Sequence, residues 1–345
     1  MKDYPDYYAD ESQLEEALSR PTPQLIEMMK TLDGDLILLG VAGKMGVSMA
    51  RMAKRACEEA QVHKKVIGVS RFSDPKQQLF LEESGVQTIK GDLLNLDFID
   101  SLPNVKNVIY LAGMKFGTDG NESYTWAMNS FLPGLVAEKF KDSRIVAFST
   151  GCVYPLVPIA SGGSKESDEV GPVGEYAQSC LGRERLFEYG SLQNNTPVVL
   201  IRLNYAVEMR YGVLVDIATK VKQQETIDLT MGYANVIWQG DANDLILRSI
   251  PFCKSPANHL NISGPETISV AQVAKQFGEI MGMEVKFSGK EADSALLANV
   301  AKSRDLLGNP TVPLQQIIQW TADWVKNDKR LLGKATHFEV RDGKY

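Results

Sequence analysis

From residue 35 onward the apolar positions fall into short runs separated by longer amphipathic stretches. DLILLG (35–40) is an apolar run ending in glycine, the pattern of a strand buried on both faces. KMGVSMARMAKRACEEA then predicts a helix, KKVIGVS a strand, DPKQQLFLEES a helix, VQTIKGD a strand and NVKNVIYLAG another. SYTWAMNSFLPGLVAEKF predicts one helix, SRIVAFST a strand, EYAQSCLGRERLFEYG a helix and TPVVLIRLN a strand. Strands alternating with helices predict an α/β fold, a doubly wound parallel sheet covered on both faces.

Residues 1–33 form a polar preface with two short helices, over ESQLEEALSR and PQLIEMMKTL, separated near Pro21 and Pro23. Beyond about residue 205 the alternation loosens. GVLVDIATKVKQ, SVAQVAKQFGEIMG and PLQQIIQWTADWVKN predict helices, whereas NHLNISG and MEVKFSG predict short strands. The expected division is a helical extension (1–33), a cofactor-binding sheet domain (34–205) and a smaller mixed α/β region (206–345). The last would close over the C-terminal edge of the sheet, where such folds bind ligands.

The 345 residues are 44% hydrophobic and 23% charged, the profile of a globular chain, with a net charge of −6. No basic run points to nucleic acid, and no apolar run approaches a membrane span. The acidic N-terminus lacks the apolar core of a signal peptide. Cys57, Cys152, Cys180 and Cys253 lack metal-ligand spacing, and only three histidines are present. Free thiols, no metal site and a cytoplasmic location are the expectation.

The first strand runs into GVAGKMG, with Gly40, Gly43 and Gly46 spaced GxxGxxG. Glycines there permit a tight turn and let the backbone approach a pyrophosphate, while the helix that follows offers free N–H groups. The strand-before, helix-after context supports a dinucleotide site, which would include Lys44 and Met45. The second strand ends in Ser70 and Arg71 rather than an acidic residue. A carboxylate would repel a 2′-phosphate, whereas serine and arginine can bind one, so NADP is favoured over NAD. The alternative is that Arg71 is a solvated residue after a strand.

The glycine turn, GDLLNLD, YLAGMK, FSTGCVYP and EYAQSC come in one fixed order. This ordered set resembles the extended short-chain dehydrogenase/reductase family of NAD(P)-dependent sugar epimerases and dehydratases, over roughly residues 35 to 325. The resemblance implies a Rossmann domain with a small C-terminal substrate region. It implies cofactor contacts from Asp92, Leu93, Leu111, Ala112, Gly113 and Asn129. Lys115 matches a lysine that some sugar epimerases carry.

The family's catalytic set is Ser/Thr, Tyr and Lys, the last two spaced YxxxK. By resemblance Thr150 hydrogen-bonds the substrate oxygen, and Tyr176, also near the cofactor, passes the proton as hydride moves. The alternatives are a strand-end hydroxyl for Thr150 and a packing tyrosine for Tyr176. The lysine position holds Cys180. A neutral thiol neither holds the ribose nor lowers the tyrosine pKa. Arg183, one turn further on, and Lys115 are the candidates to supply the missing charge.

A further departure concerns substrate. Asn235 stands where nucleotide-sugar members often carry a diphosphate-binding arginine, which favours a free sugar or sugar acid over a nucleotide sugar. Arg202, Asn204, Tyr205, Arg210 and Tyr211 follow the sixth strand and are candidates for the substrate pocket. Two functions compete: an NAD(P)-dependent oxidoreductase, epimerase or dehydratase, and a catalytically degenerate cofactor-binding protein. The resemblance also implies a homodimer pairing through the tyrosine helix and the helix before it. There Met128, Phe131, Leu132, Leu135 and Val136 make an apolar stripe, part of which must face the sheet.

Overall fold

The computed structural model describes residues 4–115, 117 and 120–343, so the outermost residues of the three-part division lie outside it. Seven parallel strands form the central sheet: β1 (Leu36–Leu39), β2 (Val66–Ser70), β3 (Gln87–Lys90), β4 (Asn107–Tyr110), β5 (Arg144–Thr150), β6 (Val198–Leu203) and β7 (Asn258–Ile262). Their order is β7-β6-β5-β4-β1-β2-β3. The order reverses between β1 and β4, so a crevice opens at the carboxyl ends of those two strands.

β1 is buried at all four positions and β4 likewise, which is why both read as continuous apolar runs. One apolar layer holds Leu36, Leu38, Met49 and Ile109, the other Ile37, Leu39, Tyr110 and Val136. The helices covering the sheet include α1 (Gly46–Glu59) and α2 (Tyr176-bearing Gly174–Asn194). No helix among the described residues is long and apolar enough to cross a membrane.

The structure departs from the sequence reading in four places. NHLNISG, expected in the second region, supplies β7 at the edge of the central sheet, in register with β6 from Asn258↔Val199 to Ile262↔Leu203. Its alternation of apolar and polar residues fits an edge position, which the chain reaches only after passing through the second region.

The polar preface is also integrated. Leu14 and Leu18 are fully buried in the second core, beside Trp320 and Trp324, and Leu25 and Met29 are fully buried against the sheet.

The helix expected over 123–140 is broken into Glu122–Trp126, a wider π turn Ala127–Phe131, and Leu132–Lys139. Pro133 has no N–H to donate and its ring crowds the carbonyl four residues back, so the ladder shifts and Leu132 N donates to Ala127 O. A short helix, Leu96–Ser101, begins at Asn95, whose side chain accepts from Phe98 N; it was too brief for its periodicity to register.

Candidate functional site

Two cavities meet over the glycine turn. One, of about 280 Å³, is walled by Lys44, Met45, Gly46, Lys115, Thr150, Tyr176, Arg183, Asn204 and Tyr205. The other, of about 260 Å³, is walled by Gly40, Ser70, Arg71, Asp92, Leu93 and Ala112. Gly43, Leu111 and Gly113 line both, so the two form one trough across the switch point of the sheet. Every candidate site residue except Asn129, Arg202 and Arg210 lies in its walls.

The local sequence explains the trough. Gly40 has φ +88°, and a Cβ there would stand 2.7 Å from the Ala112 backbone. Only glycine lets the loops after β1 and β4 meet this closely. Arg71 extends from the end of β2, where its Nη1 donates to the Tyr124 hydroxyl at 3.1 Å. Asp92 caps its own turn, accepting from Leu94 N at 3.0 Å.

Tyr176, Cys180, Arg183 and Glu184 share one face of α2, at spacings of four, seven and eight residues. Tyr176 is hydrogen-bonded to Thr150. Thr150 Oγ1 also accepts from Cys152 N at 3.2 Å, so it serves both as a strand-end cap and as part of the cavity wall. Removal from water drives the Tyr176 pKa well above its ordinary value. The neighbouring thiols of Cys180 and Cys152 add to this, while Arg183 and the Thr150 hydrogen bond pull the other way. Cys180 is fully buried, and burial pushes its thiol up to about 11. It is therefore a neutral packing group at physiological pH, not an activated nucleophile.

Arg183 acts on Tyr176 through its charge. It is almost fully buried, donating from Nη1 to Phe148 O at 2.8 Å and from Nη2 to Asn129 Oδ1 at 2.7 Å. Asn129 lies in the π turn and lines neither cavity. Its amide spans Met114, accepting from the backbone N and donating to the carbonyl O, both at 2.8 Å. It positions the loop after β4 and the guanidinium of Arg183. Lys115 reaches the same cavity from the other side, and its Nζ donates to the carbonyl of Thr336 at 3.2 Å.

Tyr205 adopts φ +42°, a strained conformation for a residue with a side chain, directly in the cavity wall. Tyr211 lines the cavity too, with Lys44 Nζ 3.6 Å above its ring.

Two candidates from the sequence are placed elsewhere. Arg202 is buried beneath the site. Its Nε and Nη2 donate to Glu184 Oε1 and Oε2 at 3.0 and 2.8 Å, and its Nη1 to the Tyr154 hydroxyl at 2.8 Å. Arg210 pairs with Glu208, Glu11 and Glu15, tying the N-terminal segment to the second region. Neither lines the cavity: Glu184 holds Arg202 from α2, and Glu208 with Glu11 and Glu15 of the N-terminal segment hold Arg210. Thr336, in the C-terminal segment, lines the cavity and was missed; its neighbourhood KATHFEV has no periodicity or motif to single it out.

No protein-family profile matches the sequence, and no curated protein matches it. Solved structures do share its fold. A UDP-glucuronic acid 4-epimerase from Bacillus cereus in complex with NAD superposes with a TM-score of 0.69 at 17% identity, covering 85% of this chain and 99% of that one. The dTDP-glucose 4,6-dehydratase DesIV from Streptomyces venezuelae, with NAD and TYD bound, gives 0.73 at 16% identity, covering 85% and 97%. Pal from Bacillus thuringiensis gives 0.70 at 18%, covering 86% and 100%. At these identities the likeness establishes a shared Rossmann-type architecture.

Proposed function

We propose that the protein is an NAD(P)-dependent oxidoreductase of the epimerase or dehydratase type, acting on a sugar or sugar acid. One observation carries this reading: Tyr176, Thr150 and Arg183 converge on the cavity at one end of a trough whose other end is the glycine turn, Asp92 and Arg71. The close meeting of Gly40 and Ala112, and the run of cavity along the switch point, fit an extended dinucleotide. Gly40, Gly43, Asp92 and Ala112 would hold such a cofactor, whose nicotinamide would supply the site that takes up and gives back a hydride.

The chain's own residues handle the proton and the orientation. Thr150 holds the reacting oxygen by a hydrogen bond, and Tyr176 gives or takes its proton. Arg183 stands in for the lysine absent at position 180, stabilising the tyrosinate from within the protein. Its two hydrogen bonds to Phe148 O and Asn129 Oδ1 fix the charge, so it acts electrostatically and leaves the ribose to other groups. Ser70 and Arg71 favour NADP, the one cofactor with a 2′-phosphate to bind.

Exposed Phe131 on the π turn, with Tyr189 and Leu192 on the adjacent α2, support a homodimer formed through these helices. The buried members of the expected stripe, Leu132 and Val136, face the sheet. Four free thiols fit a reducing, cytoplasmic compartment, and we keep the division into 34–205 and 206–345 as a proposal, with β7 counted in the first unit.

Titration with NAD and NADP, followed by absorbance of the reduced nicotinamide in the presence of sugars, sugar acids and nucleotide sugars, tests the reading. Turnover with one of these classes is expected, and its loss in Tyr176→Phe. Cofactor binding without turnover on any of the three would instead support the degenerate cofactor-binding protein. The nucleotide sugars named for two of the solved structures make that class the competing substrate.

A further inference from the structure

We infer that the C-terminal segment, residues 329–343, forms the substrate-side wall of the cavity and restricts it to a small free acid, a hexuronic acid or similar, excluding a nucleotide-linked sugar. This rests on the proposed catalytic site and names the substrate that site admits.

The segment runs as a strap from the Arg210 loop to the start of α2. Leu332 N donates to Arg210 O at 3.0 Å. Thr336 then reaches the cavity, its N and Oγ1 both donating to Asp216 Oδ2, at 2.8 and 2.6 Å. Phe338 is buried in the second core. Gly343 ends against Gly174, so closely that a Cβ on Gly174 would stand 2.2 Å from the Gly343 carbonyl oxygen. Gly174 is two residues before Tyr176, and the strap therefore closes on the helix that carries the proposed proton carrier.

Size follows from this path. Cys152 and Tyr205 wall both the main cavity and a second space of about 30 Å³, whose far side is Val340, Arg341 and Gly343. That space holds roughly one water. A nucleotide leaving the cavity in this direction would meet the strap. Arg341 cannot serve as its diphosphate clamp, because Nη1 donates to Ser294 O at 2.9 Å and Nη2 to Ser294 Oγ at 2.8 Å. Asn235 is engaged as well, donating to Glu266 O and accepting from Ala298 N. The remaining 280 Å³ sits near the lower end of small-ligand sites, about 300–1,000 Å³, and must also take the nicotinamide end.

Charge gives the class. Among the described residues the main cavity is lined by Lys44, Lys115 and Arg183 and by no Asp or Glu. Arg183 serves Tyr176, and Lys44 belongs to the glycine turn. Lys115, held toward the cavity by the Thr336 carbonyl, lies on the substrate side. Burial lowers its pKa while Cys152 and Asp216 pull it up, and a further anion beside it would favour the charged form still more.

Calorimetric titration of the cofactor-loaded protein tests this. Glucuronate or galacturonate is expected to bind at least tenfold more tightly than UDP-glucuronate, and at least tenfold more tightly than the matching neutral hexose. Lys115→Met is expected to abolish the preference for acid over hexose. Equal or tighter binding of UDP-glucuronate overturns the exclusion by the strap. Failure of both acids to bind, no preference over the hexose, or a preference unchanged in Lys115→Met overturns the acid site. Absence of any binding of NAD or NADP would instead sink the cofactor reading above, and the same titrations without cofactor then decide this inference separately.

Discussion

Arg183 donates from Nη2 to Oδ1 of Asn129 at 2.7 Å, joining the helix that carries Tyr176 to the π turn before it. The bond fixes a positive charge whose field acts on Tyr176, against the neighbouring thiols of Cys180 and Cys152. Arg183 lowers the Tyr176 pKa against the larger effect of burial. Arg183→Met therefore raises that pKa further, and the pH at which Tyr176 can act as a base moves up. The expected loss in rate near neutral pH is about tenfold or more. Cys180→Lys adds a charge on the same face and moves the profile down, whereas Cys180→Ser replaces one neutral group with another and leaves it in place. A pH–rate profile of the three variants checks all of this; an unmoved profile in Arg183→Met would refute the assignment.

Arg71→Ala is expected to weaken NADP binding by roughly tenfold, the value of one hydrogen-bonded charge contact, and to leave NAD unchanged. Fluorescence titration with both cofactors reads the difference. Equal affinities in the wild type would remove the preference assigned to Ser70 and Arg71.

Gly40→Ala should cost at least about tenfold in cofactor affinity, because φ +88° is strained for alanine and the new Cβ must push the Ala112 loop away. The same titration measures it, with circular dichroism to show that the sheet persists.

Beneath the site, Glu184 is buried and paired with Arg202 and His259. Burial opposes its charge, but the neighbouring His259 and the hydrogen-bonded Arg202 guanidinium prevail and bring its pKa down to about 2. A pKa depressed in the folded state contributes stability that is present above the unfolded value of 4.5 and is lost as pH falls toward 2. Arg202→Met removes the two-pronged partner of this buried carboxylate and should destabilise the fold by about 3–5 kcal/mol at neutral pH. Denaturant melts at neutral pH and across the acid range are the measurement. A variant as stable as the wild type at pH 7 would contradict the role given to the pair.

Phe131→Asp, alone or with Leu192→Asp, is expected to leave a monomer, since both side chains are more than half exposed on adjacent helices. Light scattering at micromolar concentration reports the mass. A wild-type monomer would dismiss the dimer.

The sequence by itself determined six of the seven strands and the glycine-turn end of the trough. β1, β2, β4, β5 and β6 announce themselves because a parallel strand buried on both faces is mostly apolar, β3 (QTIK) only through its place in the alternation, and the glycine turn because its residues answer to local sterics. Tyr176 and Thr150 were legible through an ordered set of motifs, and Arg183 through helical spacing alone. The tertiary structure decided what depends on distant partners. Arg202 and Arg210 looked like pocket residues until Glu184, Glu208, Glu11 and Glu15 were found to bind them. β7 lies some 50 residues past β6, and no local pattern says which sheet a short strand will join. Thr336 and the strap left no trace in the sequence, because an irregular segment is fixed by hydrogen bonds to Arg210, Asp216 and Lys115 rather than by any periodicity of its own.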